Sequence, residues 1–273
     1  MRIFDVTKTL NNGVKIPVLG LGVFKSGQNT KRAVEYAINI GYRHIDTAAV
    51  YGNEDQVGEA VKSAGINRKD IFITTKLWND DMRNGTQRQA IEKSLELLKT
   101  DYIDLYLIHW PVKGKIAESW AVMEEYYKKG VLRAIGVSNF LESHLDELLS
   151  YASIIPAVNQ VECSPFLTQE PLTEYCVKKG IAVEAWSPLA KGVALTNEVI
   201  LEIAKKYNKT AAQIIIRWHI QNDRIVIPKS VHEERILSNS LVDDFELTIE
   251  DMNRISALNE NRRMGSDPNN FNF

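Results

Sequence analysis

Cysteine is scarce. The 273-residue chain has two, Cys163 and Cys176, neither in a CxxC pair nor in a spacing with histidines or carboxylates that would suggest a metal site. A disulfide framework and a bound metal are therefore not predicted, and reduced, structural thiols are expected. An excess of one charge is also missing: 33 Lys plus Arg against 35 Asp plus Glu leave a formal charge of -2. No global positive field exists to gather phosphate backbones or anionic lipid, so nucleic acid is excluded as an expected partner. Nowhere do roughly 18 apolar residues run together, and the opening MRIFDVTKTL has no signal-like apolar stretch of about 7 to 15 residues. Neither export nor membrane insertion is predicted, and a cytoplasmic protein is expected. Several glycine and histidine signatures are absent too. Gly20 and Gly22 are followed by Val23, Phe24 and Lys25, so the third glycine of a G-x-G-x-x-G turn is missing. No P-loop, G-x-S-x-G elbow or H-E-x-x-H pair occurs.

What is present is an alternation. Apolar strand-like runs at Val18 to Val23, His44 to Asp46, Ile71 to Lys76, Asp104 to His109, Ala134 to Ser138, Ala157 to Gln160, Ala182 to Trp186 and Arg224 to Lys229 are separated by segments with helical spacing. That pattern predicts a parallel sheet, and eight strands in about 250 residues favour a closed α/β (β/α)8 TIM barrel forming a single domain over 1–273. Helical faces are carried by Val34, Ala37 and Ile38; by Val57, Ala60, Val61 and Ala64; by Ile91, Leu95 and Leu98; and by Ile116, Trp120, Met123 and Tyr127. Leu141, Leu145, Leu148 and Leu149 form another stripe, as do Leu172, Tyr175 and Cys176. Asn53 with Gln56, and Thr86 with Gln89, read as capping starts, and Gly130 and Gly180 as helix stops. Two helical patterns in the seventh connection and one after Thr248 exceed the minimal repeat. The Asn-Gly turn in FDVTKTLNNGVKIPV predicts an N-terminal hairpin that plugs the bottom of the barrel.

In such a barrel the chemistry sits at the C-terminal ends of the strands. Asp46, Lys76 and His109 end predicted strands two, three and four, and Tyr51 follows five residues after Asp46. Singly, each has a structural explanation as a cap, a rim residue or a core histidine. Jointly they would bury charge at a cost of several kcal/mol unless they satisfied one another, which points to a paired constellation.

The segments GYRHIDTAAVYGNE, LIHWP, IGVSNF and IPKSV, in that order along nearly the whole chain, resemble the aldo-keto reductases. The resemblance implies a barrel enzyme that reduces aldehydes and ketones with NADPH. Tyr51 would be the general acid, Lys76 would lower its pKa, Asp46 would orient Lys76, and His109 would bind the carbonyl oxygen or relay a proton. It further implies that Ser138, Asn139 and Gln160 bind the nicotinamide carboxamide, that Trp186 stacks on the ring, and that Ser187, Pro188, Leu189, Lys191 and Gly192 strap the pyrophosphate. Lys229, Ser230 and Arg235 would hold the 2′-phosphate and Asn239 the adenine, with Val231 also among the cofactor-binding residues. Two cations there favour NADPH, with NADH use left open. Phe24, Trp78, His109 and Trp110 would wall the substrate. The tail RRMGSDPNNFNF resembles the short ends of members close to diketo-gluconate reductases and prostaglandin F synthase, for which broad specificity is expected. A monomeric or weakly associated enzyme is expected; no sustained heptad or interface stripe fixes the oligomeric state. Two other readings stay open at this point: a Schiff-base aldolase using Lys76, and a cofactor-sensing regulatory or scaffold protein on the same fold.

Overall fold

The computed structural model describes residues 2–273. The chain opens with an antiparallel hairpin, β1 (Thr7–Thr9) and β2 (Lys15–Pro17), with Thr9 opposite Lys15. Strands and helices then alternate: β3 (Leu21–Gly22), α1 (Thr30–Ile40), β4 (His44–Asp46), α2 (Glu54–Ser63), β5 (Phe72–Leu77), α3 (Asn79–Asn84) and α4 (Gln87–Leu98). The alternation continues with β6 (Leu105–Ile108), α5 (Ile116–Lys128), β7 (Ile135–Ser138), α6 (Glu142–Leu149), β8 (Val158–Glu162), α7 (Glu170–Lys178) and β9 (Ala182–Trp186). It ends with α8 (Glu198–Tyr207), α9 (Ala211–Gln221), β10 (Ile225–Val226), α10 (Glu233–Ser240) and α11 (Ile249–Ser256).

Strands β3 to β10 pair in chain order, every pair parallel. The barrel closes where Val226 N donates to Val18 O at 2.8 Å and Gly20 N donates to Val226 O at 3.0 Å. The two closing strands are shorter than their apolar runs predict. Pro228 has no N–H to donate, so beyond Val226 the pairing survives only as a bridge between Gly22 and Lys229. Gly20 permits the closure: a Cβ there would lie 2.6 Å from His44 Nδ1 and 2.9 Å from Ile227 Cγ2.

The predicted hairpin plug is present. Leu10 and Ile16 are buried in one cluster with Phe72, Leu105, Leu107, Ala157, Val158, Ala182 and Ile225, which fills the barrel at the N-terminal ends of its strands. A second cluster lies between sheet and helices, where the predicted faces of α1, α2, α5 and α6 bury Val34, Val57, Trp120 and Leu145. A third sits beneath α8, α9 and α11, the extra helices. α9 starts in a capping box of Thr210 and Gln213, and Gly130 and Gly180 end α5 and α7 with φ of 76° and 72°.

Two predicted caps are not made. Asn53 precedes α2, but its side chain turns inward, donating to Val23 O and Thr30 Oγ1 and accepting from Thr47 Oγ1. Thr86 precedes α4, yet its hydroxyl donates to Asp81 Oδ1 at 2.8 Å. In both, a tertiary partner outbids the local backbone N–H. Among the described residues, no helix is long and apolar enough to cross a membrane.

Candidate active site

A cleft of about 1420 Å³ opens at the C-terminal ends of the strands. The arrangement is set by β-strand alternation: His44 and Asp46 on β4, Thr74 and Lys76 on β5, Gln160 on β8, and Glu184 and Trp186 on β9 share inward-facing parity. The strand interiors are apolar at the base and become polar toward the mouth.

Lys76 lies beneath the cleft floor and is fully buried. Its Nζ donates to Asp46 Oδ1 and Oδ2, each at 2.8 Å, and to Thr47 O at 2.7 Å. Burial works against the ammonium, but Asp46 and Tyr51 hold its pKa above the usual lysine value. The Lys76 nitrogen sits 5.2 Å from the centre of the Tyr51 ring. His109 packs edge-on against Tyr51 at 5.7 Å and against Trp78 at 5.2 Å between ring centres. Burial, reinforced by Lys76, keeps its imidazole well below the ordinary histidine range, so it is neutral at physiological pH. Its Nδ1 is buried without a partner.

The structure reverses one electrostatic expectation. Lys76 does pull the Tyr51 phenol down, but burial is the larger effect, and Tyr51 is pushed up to about 12. In the free protein Tyr51 is thus a firmly held proton source, not an unusually acidic phenol.

The residues assigned to the carboxamide are already bonded to one another. Ser138 Oγ donates to Gln160 O at 2.8 Å, and Asn139 Nδ2 donates to His109 O and Ser138 Oγ. The Trp186 indole donates to Asn139 Oδ1 at 2.9 Å, fixing the ring that ends β9. Gln160 spends its amide nitrogen on Asp46 Oδ2 at 2.7 Å and Glu184 Oε2 at 2.9 Å, leaving its carbonyl oxygen for a ligand.

Beyond Trp186 the backbone of Ser187, Ala190, Lys191 and Gly192 has positive φ in each case. Left-handed residues in a loop turn amide N–H groups into a concave anion cradle. At the far end Lys229, Ser230, Arg235, Ser238 and Asn239 line the cleft. Glu233 is drawn away by Arg32, at 2.8 Å, so Glu234 is the acid that remains among the lining residues there. An elongated cleft with an indole at one end, an amide cradle in the middle and two cations at the other fits a phosphorylated dinucleotide.

All the residues expected to contact cofactor or substrate line this cleft except Val231, which lies just outside it; Asp46, Tyr51 and His109 line it as well, and Lys76 lies beneath. Phe24, Trp78 and Trp110 form its apolar mouth. Phe273 was missed by sequence reasoning. It stacks parallel on Trp78 at 5.9 Å and edge-on against Trp110 at 5.1 Å, while Asn79 Nδ2 and Arg83 Nη2 donate to its carbonyl oxygen. The tail is pinned further back as well, Glu162 accepting from Met264 N and Gly265 N. A Cβ on Gly265 would lie 2.5 Å from Trp186 Cη2, so the tail rides directly on the indole. The aromatic pair in FNF was the signal available.

Comparison with known proteins agrees with this geometry. The sequence matches the Aldo/keto reductase family over residues 18–260. The chain is 52% identical over 269 residues to a glyoxal reductase of Bacillus subtilis, covering 98% of each chain. It is 49% identical to a 9,11-endoperoxide prostaglandin H2 reductase of Trypanosoma cruzi, covering 96% of this chain and 95% of that one. Among solved structures, an aldo-keto reductase from a deep-sea metagenome library superposes with a TM-score of 0.95 at 44% identity, covering 97% of this chain and 100% of the other. A Bombyx mori aldo-keto reductase in complex with NADP superposes with a TM-score of 0.90 at 38% identity, covering 96% and 95%. The chain belongs to the aldo-keto reductase family of oxidoreductases.

Proposed function

We propose that the protein is an NADPH-dependent reductase of uncharged aldehydes and ketones, with Tyr51 as the proton donor. The observation that carries this reading is the pairing of a buried Asp46–Lys76 ion pair under a protonated Tyr51 with a cleft end where two cations, Lys229 and Arg235, outnumber the one acid, Glu234. NADPH, when bound, supplies the hydride that no amino-acid side chain can give. Gln160 and Trp186 would hold the nicotinamide end, the 187–192 loop the pyrophosphate, and Lys229 and Arg235 the 2′-phosphate.

The protein's own groups handle the proton. The negative charge that develops on the carbonyl oxygen during reduction would be met by the Tyr51 hydroxyl, which donates to it. The Tyr51 O–H bond breaks, the O–H bond of the product alcohol forms, and the phenolate is left beside the Lys76 ammonium. Neutral His109 gives a second hydrogen bond to the same oxygen through a ring N–H, without competing for the proton. Phe24, Trp78, Trp110 and Phe273 exclude water from the reacting oxygen and favour small apolar or dicarbonyl substrates. A Schiff base on Lys76 is disfavoured by its burial and its three hydrogen bonds.

The test is Tyr51→Phe. NADPH-linked reduction of glyoxal and of an aromatic aldehyde is expected to fall by roughly 10²- to 10⁴-fold, while NADPH still quenches tryptophan fluorescence with unchanged affinity. Turnover at the wild-type rate would remove Tyr51 from the mechanism.

A further inference from the structure

We propose that Glu184, buried in the barrel axis below the reacting groups, is a positioning residue: through the Gln160 carboxamide it holds Asp46 and Lys76 in place, and as a neutral acid it lets Tyr51 release its proton over an uncharged core. This inference rests on the carbonyl-reductase reading above and assigns a role to a residue that touches neither substrate nor cofactor.

Glu184 projects inward from β9 and has no exposed surface. Its Oε2 accepts from Gln160 Nε2 at 2.9 Å, and the same nitrogen donates to Asp46 Oδ2 at 2.7 Å. Both amide hydrogens are therefore committed, one to each acid, and Gln160 acts as a rigid brace between them. The other oxygen, Oε1, is buried with no hydrogen-bond partner and lies 3.6 Å from His44 Nε2.

The tautomer of His44 decides the charge of Glu184. His44 Nδ1 is 3.3 Å from the carbonyl oxygen of Pro17, which can only accept, so Nδ1 carries the hydrogen. Nε2 then presents a lone pair, with Thr74 Oγ1 at 3.1 Å placed to donate to it. A carboxylate oxygen turned toward that lone pair would be repelled, whereas a carboxyl O–H there would not. Burial holds His44 down to about 3, in keeping with a neutral ring beside Glu184.

The charged and titratable groups facing Glu184 are His44 and Asp46 from β4, Lys76 from β5, and Tyr51 from the loop after β4; Gln160 from β8 carries no charge. Asp46 and Lys76 cancel, so a protonated Glu184 leaves the core neutral and an ionised one leaves it net negative. Burial, with Asp46 adding to it, pushes Glu184 up to about 8. Its negative charge in turn raises Tyr51. Above that pH the proton should leave Tyr51 less readily, since phenolate would form beside an unbalanced negative charge.

The test uses full-length protein and three readouts. In wild-type protein labelled with carbon-13 at glutamate carboxyls, one carboxyl resonance is expected to titrate near pH 8 and to vanish in Glu184→Gln. Ultraviolet difference titration against Tyr51→Phe, in each background and without cofactor, isolates the Tyr51 phenolate, which is expected to appear roughly one pH unit lower in E184Q. NADPH-linked glyoxal reduction by wild type is expected to decline roughly tenfold through pH 8, and in E184Q that inflection is lost while melting at pH 7 stays cooperative. All glutamate carboxyls titrating below pH 6 in wild type would overturn the proposal, even if E184Q failed to fold. So would a Tyr51 titration unmoved by the substitution. Failure of wild type to reduce any carbonyl would sink the functional reading instead, and leaves the first two readouts intact.

Discussion

Lys229 and Arg235 are the residues whose roles can be separated most cleanly from folding, because both face the cleft from its rim and neither is buried. Charge-assisted hydrogen bonds to a phosphate are each worth about 1.5–3 kcal/mol. Lys229→Ala and Arg235→Ala, made singly, are each expected to raise the KM for NADPH by roughly 10- to 100-fold while leaving that for NADH within about twofold, measured in the same carbonyl assay. Equal losses with both cofactors would place the 2′-phosphate elsewhere. At this scale Asp46, Lys76 and His109 were legible as a converging set because strand ends in a barrel converge, whereas Tyr51, on the loop after β4, was reached through the GYRHIDTAAVYGNE motif. Glu184 was not legible: in the sequence it is one acid inside AVEAW, and its partners are His44 and Asp46 of β4, across the barrel, and Gln160 of β8, the neighbouring strand, far away in sequence. The direction of the Tyr51 shift was equally hidden. It depends on how far burial outweighs one lysine, and only coordinates hold both terms.

Among the elements, the hairpin was readable from an Asn-Gly turn between extended runs, and its destination followed from the apolar Leu10 and Ile16 on segments with no other core to enter. Both are buried against the inward residues of five or more strands. The plug therefore stabilises the barrel end opposite the chemistry. Leu10→Ala is expected to lower unfolding free energy by about 2–5 kcal/mol, read from urea melts, with kcat and KM unchanged. A changed KM would mean that the two barrel ends are coupled. The caps at Asn53 and Thr86 show where local pattern misleads. Each stands at the right position for a cap, but Asn53 ties three segments together and Thr86 meets the acid Asp81 of α3, a short helix not foreseen. The same limitation hid Phe273, whose contacts with Trp78 and Trp110 are made by residues far apart along the chain.

For the molecule as a whole, a barrel that hides titratable groups in its core must show them in its stability. Burial holds His44, His109 and His219 below the usual histidine range of 6.5, and all three are neutral when folded. A depressed histidine contributes stability that is present above its unfolded pKa and is lost as pH falls through the folded one, so the melting temperature is expected to drop below about pH 6.5. Glu184 runs the other way. Its pKa rises on folding from 4.5 to about 8, so the folded state binds the extra proton, and the stability it contributes is lost as pH climbs between those values. Glu54, also raised by burial, adds to the same slope. Melting temperature plotted against pH should therefore peak in the slightly acid range and decline toward pH 8 and above, with His44→Phe flattening the acid limb and Glu184→Gln the alkaline one. A melting temperature that keeps rising from pH 6 to pH 9 would show that Glu184 enters the fold already ionised, and would remove the neutral core on which Tyr51 is argued to depend.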